Sequence, residues 1–429
     1  MNKKKWNKRI SQIKEQLDFL KMEENEDEDL EIEEKSLSSG DAIKIDLPEG
    51  NLKEKLEQNR RRRFRMRVFV IALIVCVVGG FALYNKLHTF RDYIITDTVE
   101  NTVSAGTKYE TVDRYIYRYN SDGVSCVSRD NELKWSITYN MQAPIVDVCG
   151  KTMAIAEQQG NQVYVVNEEG QMGSFETLLP ILKVRVSKQG VVALVLEDDN
   201  TTWINLYKAD GTAIASDKTS VSESGYPLDM DISPDGQKLA VSYLGIEDGI
   251  METNVVFYHF GSAGKAENDY VVSSTTYQET VMPEIFFAGN AVAAAVSDNG
   301  FVVFKGENEP KQSAVVSFEQ EIVSCFHDED RIGFLFTDTT GESDYRMEIY
   351  NYRGKRKARR FVDADFDEIK MQDGQILMFS EKECHIFSSS GRKRFESKYE
   401  KAMQDIFYFS SFRKYLVITN DSFDWIRIS

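Results

Sequence analysis

The chain has 429 residues and a formal net charge of −17, from 52 Lys and Arg against 69 Asp and Glu. That balance excludes a general nucleic-acid binder, which needs a positive surface to displace counterions. It also holds only five cysteines, irregularly spaced and without a C-x-x-C pair, so no disulfide framework is expected: Cys126, Cys149, Cys325 and Cys384 read as buried thiols, with one or two disulfides as the alternative.

Residues 1–67 are nearly neutral, with 17 basic and 16 acidic residues. Within them Trp6, Ile10, Ile13, Leu17 and Leu20 recur at spacings of four and three, which aligns them on one face of a helix predicted over 5–22. These five form a candidate cytoplasmic docking face for a partner helix or the inner membrane surface. A helix this short is marginal in water, so a frayed helix without a specific partner is the equal alternative. Residues 23–34, EENEDEDLEIEE, carry nine acidic side chains and are expected to be disordered. Residues 35–47 read as a linker, and 48–67 as a juxtamembrane helix beginning at Pro48. A tail of this kind can tether or recruit; no catalytic domain fits in it.

Residues 68–84, VFVIALIVCVVGGFALY, are seventeen uncharged residues preceded by Arg60, Arg61, Arg62, Arg63, Arg65 and Arg67. At about 1.5 Å per residue the run just reaches across a hydrocarbon core of roughly 30 Å, with Arg67 and Lys86 snorkelling to the interfaces. One transmembrane helix is expected here. The tail before it is too long for a signal-peptide n-region, and GGFALYNK lacks a small-residue cleavage site. The arginines on its N-terminal side put the N-terminus in the cytoplasm and the rest outside, a single-pass cell-membrane topology. The outer part then carries −18.

Residues 85–107 read as a tether, with Tyr93 to Thr98 as a ring-closing strand. From 108 to 429 the texture is all-β: short runs rich in Val, Ile, Phe and Tyr between Gly, Asn and Asp clusters. Apolar runs start at Met153, Val191, Leu239, Ala291, Ile332, Ile376 and Tyr415, separated by 38, 48, 52, 41, 44 and 39 residues. That is the spacing of four-stranded propeller blades. Each run precedes an alternating strand, often followed by a Gly-containing turn (Gly170, Gly211, Gly261, Gly354, Gly391) that leads into a more polar outer strand. Another unit fits at 108–137, and after the last run the chain supplies only three strands. An eight-bladed β-propeller results, closed by the segment after the membrane; seven blades is the alternative.

The layout, with ELKWSITYNMQAPIVDVCG at 132–150, SGYPLDMDISPDGQKLAVSYL at 224–244 and ECHIFSSSGRKRF at 383–395, resembles an uncharacterised family of single-pass membrane-anchored propellers of clostridia-type Gram-positive bacteria. More distantly the blades are similar to quinoprotein-type and WD40-like repeats. The resemblance implies that Trp135, in LKW, docks one blade on the next. The other blades lack that tryptophan, so no quinone cofactor is expected.

No residue set identifies a reaction. His88, His259, His327 and His385 lack metal-ligand spacing, and no nucleophile motif or phosphate-cradling loop is present. No catalytic, cofactor or metal site is assigned. The scattered carboxylates read as loop and turn residues, and 245–253 (GIEDGIMET) and 337–344 (TDTTGESD) as lengthened loops. The sharpest local contrast is basic: Arg353, Lys355, Arg356, Lys357, Arg359 and Arg360 on one outer strand, Arg392, Lys393 and Arg394 on the next blade's. They form a candidate patch for lipid head groups, an anionic envelope polymer or an acidic protein, unless they only blunt exposed strand edges. The expected function is a non-catalytic scaffold of the cell envelope binding a protein or polymer. The alternative is a sensor coupling the outer ring to a cytoplasmic partner.

Overall fold

The computed structural model describes residues 49–101, 106–128, 130–198, 201–220, 225–264, 268–364, 366–409 and 413–429. The predicted helix 5–22 with its docking face, the acidic segment and the linker lie outside the described residues. The chain divides into two units, Met1–Tyr84 and Asn85–Ser429.

The described part of the first unit belongs to one helix, Glu49–Leu87, in which the expected juxtamembrane and membrane segments are continuous. Glu, Lys, Leu, Gln and Arg dominate its first half and favour helix intrinsically. Every residue from Val68 through Val77 is exposed, as are Arg60, Arg61, Arg62, Arg65 and Arg67. Among the described residues no helix is long and apolar enough to cross a membrane, so the span expected at 68–84 is not supported by them. The side chains at 78, 81–83 and 85–87 lie outside the described residues.

The second unit is an eight-bladed β-propeller: among the described residues there are eight four-stranded sheets. Blades 1 to 7 span 108–138, 144–176, 181–220, 226–278, 284–317, 324–362 and 368–398, each running from innermost to outermost strand in chain order. Blade 8 takes three strands from 403–428 and its outermost strand from Tyr93–Glu100, which pairs antiparallel with Ser422–Ile428. This closure decides eight blades over seven.

The apolar runs of the sequence are the second strands, such as Thr152–Glu157 and Val192–Asp198, buried on both faces because a neighbouring blade covers each side. Among the described residues eight hydrophobic clusters result, each shared by two neighbouring blades. Tyr109, Ile116 and Val127 of blade 1 pack with Phe407, Leu416 and Phe423 of blade 8, so the core runs around the full ring.

Outer strands dock on the next blade's turn. Trp135 of blade 1 donates its Nε1 to the Glu168 carbonyl of blade 2 at 3.4 Å, the contact the quinoprotein-type resemblance implied. Elsewhere a glycine does the equivalent. Gly211 (φ +83°) lies so close to Phe175 that an added Cβ would stand 2.6 Å from the Phe175 Cβ, and Gly391 (φ +76°) meets Ala358 at 2.8 Å. A left-handed backbone and a tight approach both demand glycine there. Blades 1 to 7 each carry a register shift where the third strand meets the start of the fourth, as at Leu206/Tyr207 and Ile386/Phe387. Such bulges add twist beside these turns.

The expected loop at 245–253 is instead a hairpin. Strands Lys238–Glu247 and Ile250–His259 run on past the sheet to a two-residue turn at Asp248 and Gly249, both with positive φ. The Asp-Gly pair is a strong hairpin signal. Ile246, Ile250 and Met251 are exposed near its tip.

Candidate functional site in the propeller channel

The innermost strand of each blade pairs on one side only, so its other edge turns unpaired N–H and C=O groups toward the ring axis. Those groups need partners away from bulk water. Side chains of neighbouring blades supply several. Asp147 of blade 2 accepts from the Val186 N–H of blade 3 at 2.7 Å. Asp229 and Asp231 of blade 4 accept from Ile285 and Phe287 N–H of blade 5 at 3.1 and 2.6 Å. Gln372 of blade 7 accepts from Tyr408 N–H of blade 8 and donates to Thr111 of blade 1.

Alternation along these strands sorts the side chains. In YPLDMDI, Met230 and Ile232 enter the core shared with blade 3, while Asp229 and Asp231 take the opposite face. The axis is thereby lined with ionisable groups. Arg185 reaches Asp229 at 3.2 Å and lies 3.8 Å from Asp231; Lys183 also bonds Asp229, at 3.1 Å. Across the ring Lys370 pairs with Asp405 and stands 3.9 Å above the Phe407 ring.

Burial pushes four of the channel acids up. Asp231 rises to about 8, through burial and then the charge of Asp147, against the pull of Arg185. Asp147 is also raised by burial, despite Arg185 and the Val186 N–H. Glu110 rises to about 7 through burial, with Lys370 opposing and Asp405, Asp147 and Glu368 adding to it. Asp405 rises to about 6 through burial, moderated by Lys370. The channel therefore holds protons near neutral pH that carboxyls in water have lost.

A cavity of about 320 Å³ opens among blades 2 to 6, with Asp147, Arg185, Asp229, Asp231, Glu284 and His327 in its wall. The His327 imidazole stacks on Phe286 at 3.4 Å and lies 3.5 Å from Glu284. Among the described residues no three His, Cys, Asp or Glu side chains are placed to hold a metal ion. The four propeller cysteines are thiols; Cys126 and Cys384 are buried, and Cys149 borders the cavity.

The basic residues sit on the outermost strands Arg356–Val362 and Lys393–Lys398 of adjoining blades, with Arg353 and Lys355 in the turn before the first. A Cβ added at Gly391, just before Arg392, would stand 3.2 Å from the Arg360 Cγ across the blade boundary, so the two groups are neighbours. Several have structural partners. Glu348, buried on the adjacent strand, is gripped by Arg359 at 2.8 Å, by Arg346 and Arg356 at 3.2 Å each, and by the Tyr350 hydroxyl at 2.6 Å. Burial alone would raise Glu348; Tyr350, Arg356 and Arg359 outweigh it and hold the carboxyl below its ordinary value. Lys393 pairs with Glu396 at 3.0 Å. Trp6, Ile10, Ile13, Leu17 and Leu20 lie outside the described residues.

The sequence reading passed over the channel acids, assigning scattered carboxylates to turns. The available signal was charge in the first, otherwise apolar strand of several repeats, singly in PIVDVC, EIFF and MQDIFY and at alternate positions in ILKVRV, YPLDMDI and EIKMQ.

Ring closure, blade-to-blade packing and an ionisable axis define an eight-bladed β-propeller with a charged central channel. The chain belongs to DUF5711, a family of unknown function whose model matches residues 86–428. No curated protein matches it by sequence. Among solved structures it is similar to BamB from Moraxella catarrhalis, with 10% identity and a TM-score of 0.48 over 78% of this chain and 99% of that one. It is also similar to a eukaryotic initiation factor, with 13% identity and a TM-score of 0.50 over 76% and 87%. At these identities the likeness concerns the fold alone.

Proposed function

We propose that the protein is a membrane-tethered, non-catalytic propeller of the cell envelope, whose rigid outer ring docks a protein or an anionic polymer while the tail stays cytoplasmic. The observation that carries the tether is the uncovered helix. Val68, Phe69, Val70, Ile71, Leu73, Ile74, Val75 and Val77 are all exposed, on every side, beyond a run of exposed arginines. A helix apolar all round belongs in a core or in lipid. At about 1.5–3 kcal/mol per large apolar side chain, burying this run is worth on the order of 10 kcal/mol or more. Docking is the reading for the ring because its core is continuous and its loops and hairpin tip are presented on a fixed frame.

The test is fractionation of cells expressing the full chain, followed by in-cell cross-linking with mass spectrometry. The tether predicts retention in membranes through alkaline carbonate washing, lost when residues 1–87 are removed. Recovery of the full chain in the soluble fraction sinks it. The scaffold predicts a stoichiometric partner that survives deletion of residues 1–35. A specific partner lost with that deletion would instead favour the sensor, the reading to which the channel cavity lends support.

A further inference from the structure

We propose that the cavity among blades 2 to 6 is a binding site for one small organic cation, a primary ammonium or guanidinium group, seated against Asp147 and Asp231 and flanked by the Phe286–His327 stack. The inference stands apart from the membrane tether and concerns the ring alone.

The cavity, at about 320 Å³, is of the size that encloses a side-chain-sized molecule. Its wall sets the Arg185 guanidinium against four carboxyls, those of Asp147, Asp229, Asp231 and Glu284. Arg185 and Lys183 both converge on Asp229, at 3.2 and 3.1 Å, and Arg185 reaches Asp231 only at 3.8 Å. Asp147 and Asp231 bond to backbone N–H groups of Val186, Phe287 and Ile232, at 2.6–2.9 Å, contacts that orient each carboxyl without neutralising it. Each carboxylate has lone pairs beyond those contacts. The Phe286–His327 stack closes one side of the cavity with a flat wall. A metal ion is a poor fit, since no three ligands converge among the described residues. Phosphate or carboxylate ligands would meet four acids.

Like charges in the cavity are relieved by protonation at Asp231 and Asp147, both raised by burial. The groups that face Asp231 are Asp147 and Cys149 from blade 2, Arg185 from blade 3, Asp229 on its own strand, and Glu284 and His327 from blades 5 and 6. An entering cation replaces the proton on Asp231, raised to about 8. Binding is then coupled to proton release: for one displaced proton with that pKa, affinity rises about 50-fold between pH 6 and pH 8 and levels off above.

The experiment is calorimetric titration of the full chain with n-propylguanidinium and n-butylammonium from pH 6 to 9, in buffers of differing ionisation heat. Butyrate and calcium serve as controls. We expect one site, about one proton released per cation at pH 7, and the 50-fold rise. In D231N, whose amide oxygen still accepts from Phe287 N–H, affinity should stay at its low-pH level and vary less than about twofold. D147N, likewise isosteric, should weaken binding and covers failure of the first variant to fold. H327Q, which removes the stacked ring from the wall, should keep the pH dependence. A blocked Gly-Arg-Gly peptide identifies the source: binding equal to n-propylguanidinium assigns a partner's side chain, and exclusion assigns a free small cation. The proposal is overturned if neither cation binds, if butyrate or calcium binds in their place, or if binding to the unmodified chain does not change with pH.

Discussion

Replacing Gly211 by alanine tests whether blade-to-blade docking holds the ring together. The added methyl would face two penalties. A left-handed backbone, φ +83°, costs an L-residue roughly 1–2 kcal/mol. Its Cβ would also stand 2.6 Å from the Phe175 Cβ, an atom fixed to the outer strand of blade 2 that cannot swing aside, and overpacking of this kind costs about 1–3 kcal/mol more. Gly249, at the hairpin tip, supplies the control: its φ is +80°, but nothing lies within 4 Å of the position a Cβ would take. G249A should therefore lose only the backbone share, and G211A should lose at least about 1 kcal/mol beyond it. Urea unfolding of the two full-length variants, followed by tryptophan fluorescence, reads the difference as midpoints at unchanged slope. Equal midpoints would refute the argument that this turn is a docking contact.

Other consequences can be measured in the same way. Asp405, Glu110 and Asp231, raised to about 6, 7 and 8, hold protons that the unfolded chain has lost above about pH 4. Stability should thus fall as pH rises toward 8 and flatten beyond, by at most about 1.4 kcal/mol per pH unit for each proton, and a midpoint that rises over that range would count against it. Phe90 is buried between blades 7 and 8 with Arg413 4.4 Å over its ring, so F90A should cost about 3–5 kcal/mol; a loss under about 1 kcal/mol would place the residue outside the core. Arg359 grips buried Glu348 whereas Lys357 is exposed, so thermal unfolding should show R359A destabilised and K357S within about 0.5 kcal/mol of the parent. The reverse order would show that the basic strand is not organised around Glu348.

The sequence made the ring legible because its signal is local. An inner strand covered on both faces must be apolar throughout, and runs such as Val191 to Leu196 repeat that signature once per blade. The channel was harder to see. Asp231 is bound to Phe287 N–H, fifty-six positions on, and only the ring brings those strands together. The basic strand was visible as composition, but its organising residue was not: Glu348 lies opposite Arg359 only once the register of that strand pair is fixed. The hairpin at 245–253 was misread because Gly and Asp suggested a loop, although Ile246 and Ile250 could extend the flanking strands and Asp-Gly could turn them.

The composite eighth blade imposes an order on synthesis. Thr96 and its partner Trp425 are 329 residues apart. At roughly 5–20 residues per second, the first strand emerges on the order of 15–65 s before the one it must join. Until then blades 1 to 7 can stack while the seam stays open. A completed chain whose seam has not yet closed offers an unpaired strand and, on Ser422–Ile428, a vacant edge complementary to it, so two such chains can close each other's rings. Strand-swapped dimers, at yields that grow with expression level, are the misassembly this architecture favours.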